Sequence, residues 1–185
     1  MTGYANITLH GPARDDVVVA LKAIGAVAYV SNTVRDSTVV FHEDLAGQEH
    51  LAAELSQRLA CAALVVMTYG QRVLLYQLYE SGQLTDQYVS EHVEELLGAS
   101  NPPAGDAERL CDAFGRPSAA RRVTTILGKV AKDAQPYAYA ANRHGELCQA
   151  LGLPQFAVQA SYAAIEHGEL PAGPGFEAGA LVPTG

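Results

Sequence analysis

Long apolar runs, basic residues, cysteines and catalytic signatures are all scarce in this 185-residue chain, and each scarcity excludes something. No apolar run approaches the roughly twenty residues a membrane-spanning helix requires, so no membrane partner is expected. Residues 1–10 carry neither a basic stretch nor an apolar one, which argues against a secretory signal there. Twelve Lys and Arg stand against twenty Asp and Glu, a net charge of −8. That balance disfavours a general affinity for nucleic acid or for anionic lipid. Three scattered cysteines, Cys61, Cys111 and Cys148, make no disulfide framework and suit free thiols in a reducing cytoplasm. No HExxH, Walker loop, GxSxG elbow or strand-following GxGxxG is present, and no set of cysteines and histidines has a spacing that suggests zinc. No metal, no cofactor and no nucleophilic catalytic residue is therefore expected.

What the chain has is apolar content. Residues of apolar type make up 49% and charged ones only 17%, enough to bury a substantial core. Residues 5–10 alternate as a half-buried strand does, and Gly11-Pro12 break it. Val17, Leu21 and Ile24 form a helical stripe behind Asp15 and Asp16, and Gly25 closes that helix. Residues 26–34 and 37–44 read as a hairpin joined through Arg35-Asp36. A second helix is expected over 48–60, then a continuously apolar strand at 64–67, the composition of a strand covered on both faces or at least flanked on both edges. Residues 72–80 and 83–90 form a further hairpin about Ser81-Gly82.

The order β-α-β-β-α-β with an appended hairpin predicts an α+β fold, a ferredoxin-like plait whose fourth strand is moved inward from the edge. This unit spans 1–97. A turn-rich linker follows at 98–105, then a small helical region at 106–171 and a Gly/Pro-rich tail at 172–185 expected to lie on the surface. Helices are expected over 106–114, 118–132 and 137–151, while 155–167 fits helix or strand. Residues 1–100 hold five basic and twelve acidic side chains, against seven and eight in 101–185.

Four groups of residues are candidates for contact. On the 118–132 helix Arg121, Arg122, Lys129 and Lys132 share one arc of about 100°, a basic face for an acidic partner, an anion or the chain's own acidic domain. His10 lies on the polar face of the first strand, and the plait would set the third strand, with His42, beside it. The two could then share an open sheet face, as a binding surface or as a small catalytic site with nearby carboxylates. Tyr76, Tyr79 and Tyr88 crowd the appended hairpin and suit an interface. His144 shares a stripe with Ala140, Leu147 and Leu151, which describes a hydrogen-bonded core histidine.

Residues 146–154 (ELCQALGLP), followed by Val158 and residues 165–168 (IEHG), resemble a bacterial helix-turn-helix, which implies a DNA-binding regulator. Its recognition segment offers Gln155, Gln159 and Ser161 but no Lys or Arg. The segments AYVS at 28–31, LYQLYESG at 75–82, LGLP at 151–154 and IEHGELP at 165–171 look similar to an uncharacterised family of bacterial proteins, which implies a bacterial, cytoplasmic setting. The expected function is a non-enzymatic binding or interaction protein of adaptor, regulatory or immunity type. A protein partner is expected, and a homo-oligomer is left open.

Overall fold

A strand that is apolar on both sides needs two covers, and the fold supplies them from opposite ends of the chain. The computed structural model describes residues 3–90, 103–128 and 139–185. Its elements are β1 (Ala5–His10), α1 (Arg14–Ile24), β2 (Ala28–Val30), β3 (Ser37–His42), α2 (Gln48–Arg58), β4 (Ala62–Tyr69), β5 (Val73–Glu80) and β6 (Gln83–Val89). The helices α3 (Ala107–Ala113), α4 (Ala120–Leu127), α5 (Ala140–Leu151) and α6 (Tyr162–Glu166) follow, and β7 (Val182–Pro183) is last.

The strands form one antiparallel sheet in the order β6-β5-β4-β1-β3-β2-β7. The fold is α+β, and its sheet is larger than a four-stranded plait with one hairpin. Local chemistry accounts for the hairpins. Arg35 and Asp36 both adopt positive φ (50° and 60°) between the paired Val34 and Ser37, the two-residue turn whose twist matches the strands. Ser81 and Gly82 (φ 51° and 80°) do the same between β5 and β6.

One sheet face carries Ile7, Leu9, Val40, Val65 and Met67 and packs on Val17 and Leu21 of α1 and Leu51 and Leu55 of α2. The other carries Leu64, Val66, Leu74, Tyr76 and Leu78, which meet Leu110, Val123, Ile126 and Leu147 from α3, α4 and α5. Val39 and Phe41 on that same side are covered by Phe156, Ala157 and Ile165. No face of the sheet stays open, because the helices of the 106–171 region and the sheet share their buried clusters. This explains why 64–67 is apolar without alternation.

Two polar contacts hold the second cover in place. Asn6 is fully buried, and its Nδ2 donates to the carbonyls of Ala157 (2.7 Å) and Ala160 (3.0 Å). Arg143 of α5 is also buried, and its guanidinium donates to the Ile126 and Leu127 carbonyls at the end of α4 (3.1 and 3.2 Å) and to the Tyr88 hydroxyl. A cation placed on the last carbonyls of a helix also opposes the negative end of its dipole.

The 172–185 segment lies largely on the surface, as expected of the tail, and it also adds an edge strand to the sheet. Val182 and Pro183 pair with Val30 and Tyr29, and Thr184 Oγ1 donates to the Ala26 carbonyl at 2.7 Å. Phe176 packs on Phe156 with ring centroids 5.3 Å apart. A proline suits β7 because an edge strand has one side that needs no ladder donor.

Substituting Asn6→Ala leaves the Ala157 and Ala160 carbonyls without their donor. It is expected to lower stability by about 2 kcal/mol, read as a lower urea midpoint with an unchanged slope.

Candidate functional site

The first residues of the described chain extend the sheet past β1 and bring Tyr4 under α5. Tyr4 N–H donates to Thr68 Oγ1 (3.0 Å), and Thr68 N–H returns a bond to the Tyr4 carbonyl (2.9 Å). Gly3 lies so close that a β-carbon there would sit 2.3 Å from the Thr68 carbonyl oxygen, so only glycine fits. The β4–β5 turn then seats the start of α5, with Ala140 N–H donating to the Gln71 carbonyl at 2.7 Å.

One turn into α5, His144 Nδ1 lies 2.9 Å from the Tyr4 hydroxyl, and the two rings stack at 5.7 Å and 20°. His144 is buried, and loss of water pushes its imidazole down to about 4. Burial likewise pushes the Tyr4 phenol above its ordinary value, against a smaller opposing effect from the Gln159 backbone. Cys148, one turn further along α5, is buried with its thiol pushed up to about 12. At neutral pH all three groups are uncharged. A thiol raised by burial is a poor nucleophile, and a histidine held neutral at pH 7 supplies no proton.

Tyr4 also forms part of the wall of a cleft of about 560 Å³, within the range of small-ligand sites. The β4–β5 turn contributes Gly70 and Gln71, the start of α5 Tyr139 and Asn142, and the segment before α6 Gln159 and Ser161. None of the described lining residues is Asp, Glu, Lys, Arg, His or Cys. Ser161 caps α6 by accepting from Ala164 N–H at 3.3 Å. A smaller depression of about 200 Å³ shares Gly3, Tyr4, Thr68 and Gly70 and runs on towards Leu45, which is 60% exposed.

The residues singled out in the sequence are placed elsewhere. Ile7 pairs with Val40, so the odd positions of β1 share a face with the even positions of β3. His10 therefore shares a face with Ser37 and Val39, while His42 emerges on the face of α1 and α2. The two do not meet, and the shared open face expected of them does not exist. His10 lies 5.5 Å from the Phe114 ring and lines a depression of about 790 Å³ with Asp16, Val19 and Arg58. Burial holds the His42 imidazole below its ordinary value, and its Nδ1 is buried with no hydrogen bond among the described residues.

Tyr76, Tyr79 and Tyr88, expected at an interface, are core residues with 0%, 7% and 3% exposure. Tyr76 and Tyr88 lie on the face that the C-terminal helices cover, and Tyr79 lies on the other face, in the core beneath α1 and α2. Tyr76 donates to Asp86 Oδ2 at 2.7 Å and stacks on Tyr88 at 5.4 Å. Tyr88 donates to the Leu127 carbonyl at 3.0 Å. Arg121 and Arg122 are exposed, and Arg122 donates to Gln149 Oε1 at 3.3 Å. Lys129 and Lys132 lie outside the described residues, as do the 98–102 part of the linker and the ends of the helices expected over 118–132 and 137–151.

The stretch 155–167 is neither one helix nor a strand. It forms a 3-10 turn at Gln155–Ala157 and the five-residue α6, separated by extended Val158 and left-handed Gln159. Phe156 is buried against the sheet and Asn6 holds the Ala157 and Ala160 carbonyls, so no continuous recognition helix forms. Tyr4, Gln71 and Tyr139 escaped the sequence reading, and Gln159 and Ser161 entered it only as members of a recognition helix that does not form. His144 alone carried a signal, its place on the apolar stripe of α5.

The chain matches no family model, and no curated protein or solved structure shows significant similarity to it.

Because the folded His144 binds a proton near pH 4 and an unfolded histidine binds it near pH 6.5, the unfolded state takes up that proton first on acidification. Stability is therefore expected to fall by about 3 kcal/mol between pH 6.5 and 4 and to gain no further slope from this residue below that range. His42, also lowered, acts in the same direction. Denaturant titrations across this range check the slope, which should flatten in His144→Phe.

Proposed function

We propose that the protein is a non-enzymatic binding protein and that its ligand or partner occupies the cleft beside the Tyr4–His144 pair. One observation carries this reading. Residues from the chain's beginning, a β-turn, the start of a helix and a distant loop converge on one cavity with hydroxyls and carboxamides but no Asp, Glu, Lys, Arg, His or Cys among its described lining. Such a lining supports recognition through hydrogen bonds and offers general acid–base chemistry no group near its working range.

The reading places binding at the end of the sheet, away from the tyrosine-bearing hairpin. Within it, β1 to β4 with α1 and α2 are a ferredoxin-like plait, supported by the internal strand order β4-β1-β3-β2. The hairpin on one side and β7 on the other extend that plait. A cytoplasmic setting is supported by three free cysteines. No helix among the described residues is long and apolar enough to cross a membrane.

Mapping by amide chemical shifts with a library of small fragments of mixed charge tests the site. The expected result is a cluster of perturbed amides at Gly3, Gly70, Gln71, Gln159 and Ser161. Perturbations centred instead on the α1–α2 depression around Val19 and Arg58 would overturn it.

A further inference from the structure

The chemistry of the cleft narrows what it accepts, provided that it is the binding site. Gln71 and Gln159 are both exposed, and neither side-chain amide makes a hydrogen bond among the described residues. A carboxamide donates and accepts at once, and the Ser161 hydroxyl has the same dual character. A ligand that only accepts would leave the amide oxygens unmatched, and one that only donates would leave the N–H groups unmatched. A charged ligand would also lose hydration with no opposite charge in the described lining to replace it. The start of α5 does not tip the balance towards anions, since Ala140 N–H is taken by the Gln71 carbonyl (2.7 Å) and Asn142 N–H by the Tyr139 carbonyl (3.1 Å).

Two further observations point the same way. Tyr139 lines the cleft with a ring that is 53% exposed, a flat surface for the C–H side of a polar molecule. Gln159 holds φ at +65°, a region where side chains are strained and glycine is not. The other non-glycine residues with positive φ are Arg35, Asp36 and Ser81 in hairpin turns and Ala60 just beyond α2. Gln159 is the third residue of the 157–160 turn, which Ala160 N–H closes on the Ala157 carbonyl (3.3 Å); glycine suits that place best, yet the chain has a glutamine there, on the wall of the cleft.

We propose that the cleft binds a small, uncharged molecule carrying several hydroxyl or amide groups, of sugar-like character, held between Gln71, Gln159 and Ser161 with Tyr139 against its less polar side. N-acetylglucosamine, citrate and spermidine serve as neutral, anionic and cationic probes, titrated while the Gly70 and Gln71 amide shifts are followed.

The expected result is saturable movement of these amides by N-acetylglucosamine alone. Gln159→Gly should weaken that binding by about tenfold, the loss of one good hydrogen bond, while its melting temperature stays level or rises because glycine accepts this backbone without strain. Tyr139→Ala should weaken binding as well and leave the fold intact. Cleft shifts produced by citrate or spermidine and not by the sugar overturn the uncharged class and leave the cleft as the binding site. Sugar binding unchanged in Gln159→Gly overturns the assignment of Gln159, and silence from all three probes overturns the ligand class. The fragment mapping described above decides separately whether the cleft binds anything.

Discussion

The interaction on which the structure most depends is the closure of the sheet's second face. Five apolar or aromatic side chains of β4 and β5, Leu64, Val66, Leu74, Tyr76 and Leu78, point away from α1 and α2. Left to water, that surface would be a large continuous apolar patch of the kind monomeric proteins avoid. The chain's last third covers it, and its ordered arrangement rests on a few buried polar bonds. Arg143 joins the end of α4 to α5 and to Tyr88, and Asn6 fastens the 3-10 segment across β1. Each adds a donor to backbone carbonyls in the buried seam, and burial makes loss of such a donor costly.

The same closure creates the cleft. Helix α5 enters over the β4–β5 turn and the loop before α6 crosses near it, so the cover does not seal against the end of the sheet. A gap remains between them, with Tyr4 in its wall and His144 stacked on Tyr4 behind it. The cleft lining departs from the apolar rule of the surrounding core by offering hydroxyls and carboxamides. It also contains Gln159, third residue of a type II turn over 157–160 that Ala160 N–H closes on the Ala157 carbonyl, at a place that favours glycine.

Much of the framework was legible because it is encoded locally. The alternation of Ile7 and Leu9, the stripe of Val17 and Leu21, Gly25 at the helix end and the two hairpin turns each depend on neighbours a few residues away. The unbroken apolar run at 64–67 fitted either two covers or an inward place in the sheet, and an open sheet face was still expected. The candidate sites were less legible. Alternation tells which residues of one strand share a side, but the sides of two strands are matched only by their register. His10 and His42 were therefore parted by the pairing of Ile7 with Val40. Tyr76 and Tyr88 have the same periodicity whether their face meets water or helices.

By itself the sequence determined the kinds and order of the elements through α2 and the hairpins, the acidic balance and the presence of a core apolar enough to fill both sides of a sheet. These follow from propensity, turn chemistry and composition, which act over short separations or over the whole chain at once. Only the tertiary structure decided that no sheet face stays open, that the hairpin tyrosines are core, that residues 182–183 are a strand and that Tyr4 meets His144. Those outcomes depend on contacts between residues up to about 150 positions apart, such as Asn6 with Ala157 and Tyr29 with Pro183. Such contacts form when surfaces match in space, and no local pattern along the chain records that match.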